Sequence, residues 1–154
     1  MSELSDLYQE VILDHSRKPR NFRILPDASH SAEGKNPLCG DQYTIYVNLE
    51  NDRIKEITFQ GSGCAISKAA ASIMTDQLRG KTIAEAQALF AQYQKMLTTG
   101  ETDEEKIGKL GVFAGVHNFP MRVKCAVLPW HAMLASLKDG AKTVSTEDGS
   151  EEKK

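Results

Sequence analysis

Few of the features that fix a protein's class at a glance are present in this chain. It has only three cysteines in 154 residues. That odd number, without a secretion signal, argues against a disulfide framework and gives weight to metal or sulfur chemistry. Neither charge sign dominates, since 19 basic residues face 21 acidic ones for a net charge of -2. A nucleic-acid partner therefore has no electrostatic support. No apolar run approaches membrane-spanning length, and the start lacks the charged-then-apolar order of a signal peptide. These absences lead us to expect a cytoplasmic protein with no membrane partner. The length suits one domain with a sizeable core, which we place at residues 1–141. Residues 142–154 are polar and aperiodic, the composition of a disordered tail.

The organising stretch is Phe59-Gln60-Gly61-Ser62-Gly63-Cys64-Ala65-Ile66-Ser67. Residues 54–59 before it alternate apolar and polar side chains, the pattern of a half-buried strand. Gly61 and Gly63 permit a sharp turn through backbone angles with φ > 0. Residues 65–78 then read as a helix that stops before Gly80. A thiol at that junction lies beside the unpaired N–H groups of a helix start, which favour the thiolate. Cys64 is thus a ligand or nucleophile, or else a small buried apolar residue.

A second thiol lies in the turn-like run Asn36-Pro37-Leu38-Cys39-Gly40-Asp41. In an extended chain residues two apart point to the same side, so Cys39 and Asp41 can reach one ion; the alternative is a turn with an incidental acid. Residues 42–49 follow as a strand with Tyr43, Ile45, Val47 and Leu49 on one face. A polar turn at 50–53 joins it to the strand at 54–60, which predicts an antiparallel hairpin. That pairing brings Cys39 and Cys64 to the same end of the hairpin.

Helical stripes appear elsewhere. Leu4, Leu7, Tyr8, Val11 and Ile12 mark a first helix over 2–15, and Pro19 ends it within a basic run. His15 reads as an ordinary surface or core residue. Residues 28–36 read as a short edge strand or a loop. Residues 81–97 form a core helix opened by a capping box of Thr82 and Glu85, and a short acidic helix follows at 104–110. Pro120 opens the last helix, whose stripe is Val123, Val127, Trp130, Leu134 and Leu137. Cys125 lies about 200° around from Val123, so it faces either a site or water.

Cys39, Asp41, Cys64 and Cys125 together supply four anionic donors, enough for a tetrahedral zinc ion or part of an iron–sulfur site. An oxygen ligand among three thiolates makes a site from which a ligand can leave. Pro37-Leu38-Cys39-Gly40-Asp41, Gly61-Ser62-Gly63-Cys64-Ala65-Ile66-Ser67 and Arg122-Val123-Lys124-Cys125-Ala126 resemble the three cysteine motifs of the U-type iron–sulfur cluster assembly family. The scaffold branch, IscU, has a histidine before the third cysteine and a Leu-Pro-Pro-Val-Lys chaperone segment. Here Lys124 holds that place, and residues 119–124 only echo the segment. Lys124 and the long stretch 89–113 are instead similar to the SufU branch.

That resemblance implies an α+β fold, a small three-stranded antiparallel sheet covered by helices, with zinc held by Cys39, Asp41, Cys64 and Cys125. It implies a pyridoxal-phosphate-dependent cysteine desulfurase as partner and activation target, with downstream iron–sulfur assembly or acceptor proteins. By this analogy Cys39 leaves the metal when the desulfurase docks, a histidine of the partner takes its place, and the freed thiolate accepts the persulfide sulfur. Asp41 tunes the opening, and Arg122 either supports the site by hydrogen bonds or is simply solvated. The alternative is a scaffold on which a transient [2Fe-2S] cluster is assembled with the same ligands and passed to apo-proteins. A zinc-stabilised interaction domain without sulfur traffic ranks third.

Overall fold

Period-two burial builds the sheet. In the computed structural model, which describes residues 3–38, 40–139, 143–145 and 150–151, β1 (His30–Asn36), β2 (Asp41–Glu50) and β3 (Arg53–Ser62) are antiparallel neighbours in the order β3-β2-β1. Tyr43, Ile45 and Val47 of β2 and Ile54, Ile57 and Phe59 of β3 are fully buried. The β2–β3 hairpin turns at Asn51 and Asp52, both with positive φ (54° and 65°), the backbone that matches the twist of paired strands. Residues 28–36, ambiguous in sequence, supply β1, which pairs along its length with β2 from His30 opposite Val47 to Asn36 opposite Asp41.

The free edge of β1 gains two short strands, β4 (Thr143–Ser145), parallel to it, and β5 (Ser150–Glu151), antiparallel to β4. These residues belong to the polar stretch that follows residue 141. An open edge presents unpaired N–H and C=O groups, and even a polar segment can satisfy them. The rest of 142–154 lies outside the described residues.

Helices cover the sheet. In α1 (Glu3–Arg17), Val11 and Ile12 pack against the core. α2 (Ala65–Leu78) follows the turn after β3 and buries Ala69, Ala70, Ala71, Ile73, Met74 and Leu78. α3 (Ile83–Thr99) starts with the expected capping box, in which the Glu85 N–H donates to Thr82 Oγ1 at 3.1 Å and the Thr82 N–H to Glu85 Oε1 at 2.9 Å. The short acidic helix is only α4 (Glu104–Ile107), and it continues as a 3₁₀ segment, Gly108–Asn118. Three residues per turn align Leu110, Phe113 and Val116 on one buried face.

α5 (Pro120–Asp139) is the central helix, and it runs through Pro129. The stripe read from sequence is too narrow a description of it. Val127 and Trp130 are buried, but so are Cys125, Ala126, Leu128, Ala132, Met133 and Ala135, while Val123, Leu134 and Leu137 are only partly buried. The helix touches β1 and β2 as well as α2, α3 and the 3₁₀ segment, and an element enclosed in this way is apolar on most of its circumference. Among the described residues, no helix is long and apolar enough to cross a membrane.

Candidate metal centre

Three element starts meet at one end of the hairpin. Gln42 pairs with Ser62, so Asp41, the first residue of β2, lies beside the turn that leads into α2. Asp41 is 2% exposed. Its Oδ1 accepts the Cys64 backbone N–H at 2.8 Å, and its Oδ2 lies 3.8 Å from Cys64 Sγ. Cys64 is the N-cap of α2, with Sγ accepting the Ser67 N–H at 3.4 Å. Cys125, in the second turn of α5, is buried, and Asn36 Nδ2 stands 4.0 Å from its Sγ. The donor atoms of Asp41, Cys64 and Cys125 all lie within 4.8 Å of one another. The Cys125 side chain therefore faces the site and not water.

The two thiols carry opposite shifts. Cys64 is held down at about 6, first by its hydrogen bond with Cys125, with burial opposing and the Ser67 N–H and hydroxyl assisting. Cys125 is pushed up, first by that same bond, then by burial and by the charge on Cys64. A buried thiol and a half-buried one in hydrogen-bond contact cannot both ionise cheaply without a cation, and the helix-start donors give the charge to Cys64.

The family model described as "NifU-like N terminal domain" matches residues 7–126. The chain belongs to the U-type iron–sulfur cluster assembly family. It is 38% identical to an iron-sulfur cluster assembly scaffold protein IscU from Streptococcus pyogenes, over 92% of this chain and 89% of the relative. It is also 38% identical to the zinc-dependent sulfurtransferase SufU of Bacillus subtilis, over 86% of this chain and 90% of that one. Among solved structures, a putative SUF-system scaffold protein from Fervidobacterium islandicum superposes with a TM-score of 0.80 at 39% identity, covering 84% of this chain and 95% of that one.

In this U-type chain three of the four expected donors come together, and the fourth, Cys39, lies outside the described residues. The donor set fits a metal ion on chemical grounds, because two thiols and a carboxylate converge in a largely buried spot. The packing agrees. A Cβ at Gly63 would sit 2.4 Å from Asp41 Oδ1 and 2.7 Å from both Ser67 Oγ and Tyr43 OH, so only glycine leaves those groups their places. Unlike Gly61, whose φ is +140°, Gly63 does not need a positive φ; what it needs is space. Asn36, fully buried beside Cys125, also keeps Oδ1 without a hydrogen-bond partner.

Sequence reasoning missed Asn36, Tyr43 and Ser67. Tyr43 read as one more inward residue of a strand and Ser67 as a helix residue, yet their hydroxyls lie 2.9 Å apart and Ser67 Oγ is 3.6 Å from Cys64 Sγ. The one available signal was Ser67, three residues after an N-cap. Arg122 holds its guanidinium 5.2 Å from the centre of the exposed Phe119 ring. It lines, with Cys64, Cys125, Ile12, Val116 and Met121, a cavity of about 720 Å³ between α1, the 3₁₀ segment and the start of α5. The centre thus opens onto a largely apolar recess.

Proposed function

We propose that this chain is a zinc-dependent acceptor and carrier of persulfide sulfur, taken from a pyridoxal-phosphate-dependent cysteine desulfurase and passed to iron–sulfur assembly or acceptor proteins. The observation that carries the reading is the mixed donor set, two thiols and a carboxylate within 4.8 Å of one another, with a third thiol two residues before the carboxylate in the chain. Likeness to a relative named as a zinc-dependent sulfurtransferase supports it. Cys39, Asp41, Cys64 and Cys125 would hold the zinc, which keeps thiol ligands deprotonated at neutral pH. A centre built on reduced thiols suits the cytoplasm.

The residues divide the work. Asp41 is anchored through Oδ1 by the Cys64 N–H, which leaves Oδ2 as the ligand oxygen. Cys39 is the sulfur acceptor. Its thiolate attacks the terminal sulfur of the desulfurase persulfide; the new S–S bond forms at Cys39, the donor's S–S bond breaks, and the electron pair leaves on the donor thiolate. No external oxidant is needed. Arg122, on the wall of the recess, would orient the incoming segment.

A second reading, a scaffold for a [2Fe-2S] cluster on the same donors, is favoured by relatives named as scaffold proteins, including one from Thermotoga maritima at 36% identity. Alanine release by a cysteine desulfurase, measured with the zinc-loaded protein and with its Cys39→Ala variant, separates the two. Strong acceleration by the wild type that vanishes in the variant is the expected result. No acceleration, together with acid-labile sulfide and visible absorbance after reconstitution, would replace the proposal with the scaffold.

A further inference from the structure

Tyr43 occupies a position where β2 has no need of a polar atom. Ile45 and Val47 share its face, all three are fully buried, and a phenylalanine would fill the same volume. The hydroxyl therefore has to be satisfied inside the protein. Its partner is Ser67 Oγ at 2.9 Å, on a serine that is itself fully buried.

The direction of these bonds follows from counting hydrogens. Ser67 has one hydroxyl hydrogen and three atoms in range that can accept it, Tyr43 OH at 2.9 Å, the Cys64 carbonyl at 3.1 Å and, once it has lost its own proton, Cys64 Sγ at 3.6 Å, which as a thiol donates to Ser67 Oγ instead. The carbonyl already accepts the Lys68 N–H at 3.0 Å. Once Cys64 is deprotonated as a ligand, Sγ is a charged acceptor, and charge-assisted bonds outrank neutral ones. The Ser67 hydrogen then belongs to Sγ, and Tyr43 must donate to Ser67. With the Ser67 N–H at 3.4 Å, Sγ receives two bonds from one residue, and one of them is backed by Tyr43.

We propose that Tyr43 and Ser67 form a hydrogen-bond relay onto Cys64 Sγ that makes Cys64 the fixed, slow-exchanging thiolate of the centre. Both are positioning residues, since neither reaches the metal or the sulfur donor. The relay gives the centre a polarity. Cys64 is clamped by a helix start and a buried hydroxyl chain, so ligand exchange is directed to a different donor. Gly63 belongs to the same device, because a side chain there would occupy the space in which Tyr43 OH, Ser67 Oγ and the Asp41 carboxylate meet.

The inference rests on the metal-binding reading above, and the test keeps the two apart. Zinc-loaded wild type, Tyr43→Phe, Ser67→Ala and the double variant are mixed with a chromogenic chelator, and the release rate is followed. Cobalt-loaded samples report the sulfur-to-metal charge-transfer band. Loss of a hydrogen bond worth about 1 kcal/mol predicts release about fivefold faster for Tyr43→Phe. Outer-shell effects on metal affinity suggest about tenfold or more for Ser67→Ala. The double variant should match Ser67→Ala, because Tyr43 acts only through Ser67. The cobalt band should move to longer wavelength as the sulfur lone pairs lose their donor, a change that a purely packing role would not produce. Should Ser67→Ala not fold, Tyr43→Phe decides alone. Release within twofold of wild type, with an unmoved band, overturns the relay and leaves the metal reading intact. A wild type that retains neither zinc nor cobalt overturns the metal reading, and the relay with it.

Discussion

Gly63→Ala places one methyl group where three oxygens already converge. The added Cβ would lie 2.4 Å from Asp41 Oδ1 and 2.7 Å from both Ser67 Oγ and Tyr43 OH. Tyr43 and Ser67 are fully buried and bonded to each other, so they have little room to retreat. The Asp41 carboxylate is the group that must yield, and in yielding it gives up the Cys64 N–H at 2.8 Å. Overpacking costs about 1–3 kcal/mol, and a lost charge-assisted hydrogen bond about 1.5–3 kcal/mol. Since moving the carboxylate relieves part of the clash, the two overlap, and a net cost of about 3 kcal/mol is expected. Urea unfolding of the metal-free protein reads it directly. With a slope of roughly 2 kcal/mol per molar, the midpoint should fall by about 1.5 M while the slope stays the same. Ser62→Ala, an exposed neighbour on β3, should leave the midpoint in place. A Gly63→Ala midpoint within about 0.3 M of wild type would refute the reasoning, because it would mean that the carboxylate is not packed as described.

Two further predictions concern stability away from the centre. His15 is 1% exposed, with Nδ1 2.7 Å from Ser72 Oγ, and burial, assisted by the positive Arg20 and Lys109, lowers it from 6.5 to about 4. The unfolded chain binds its proton near 6.5 and the folded chain resists until about 4. Stability from this residue is therefore complete above 6.5, falls through that window as pH drops and levels off below it, a loss of about 3 kcal/mol. Urea unfolding at a series of pH values should show the gap between wild type and His15→Gln narrowing by about that amount from pH 7 to pH 4, and a constant gap would contradict it. Thr82→Ala removes one arm of the capping box and should cost about 1 kcal/mol; an unchanged urea midpoint would mean that the cap contributes nothing to global stability.

Particular residues show what could be read from sequence and why the rest could not. The hairpin was legible because Tyr43, Ile45 and Val47 alternate with half-buried or exposed neighbours, and a single buried face fixes register. Its antiparallel sense then brings Asp41 and Cys64 together without further information. Helix starts were legible where a cap repeats a local pattern, as at Thr82 and Glu85. Cys125 was only half legible. Spacing from Val123 shows that the two cannot share a face, but α5 has more than one buried face, and single-stripe reasoning offers no way to tell a second core face from water. The stretch 108–118 was illegible for the opposite reason, since its glycines hide a period of three that becomes visible only beside the period of 3.6. Tyr43 and Ser67 were invisible as site residues because each fits its element on apolar or helical grounds, and only the coordinates bring the two hydroxyls together.

Three of the donors found from motifs are held by regular elements: Asp41 at the start of β2, Cys64 capping α2 and Cys125 inside α5. Each of those elements is pinned by the core, as the complete burial of Tyr43, Ile73 and Trp130 shows. Cys39 lies outside the described residues; in sequence it falls between the end of β1 at Asn36 and the start of β2 at Asp41. Local opening requires least energy where few apolar contacts must break, and the three described donors stand where many would have to. Retention is therefore the role proposed for Cys64, and sulfur entry the role proposed for Cys39. An exchange of these roles, with Cys64 alkylated faster than Cys39 in the metal-loaded protein, would contradict both together.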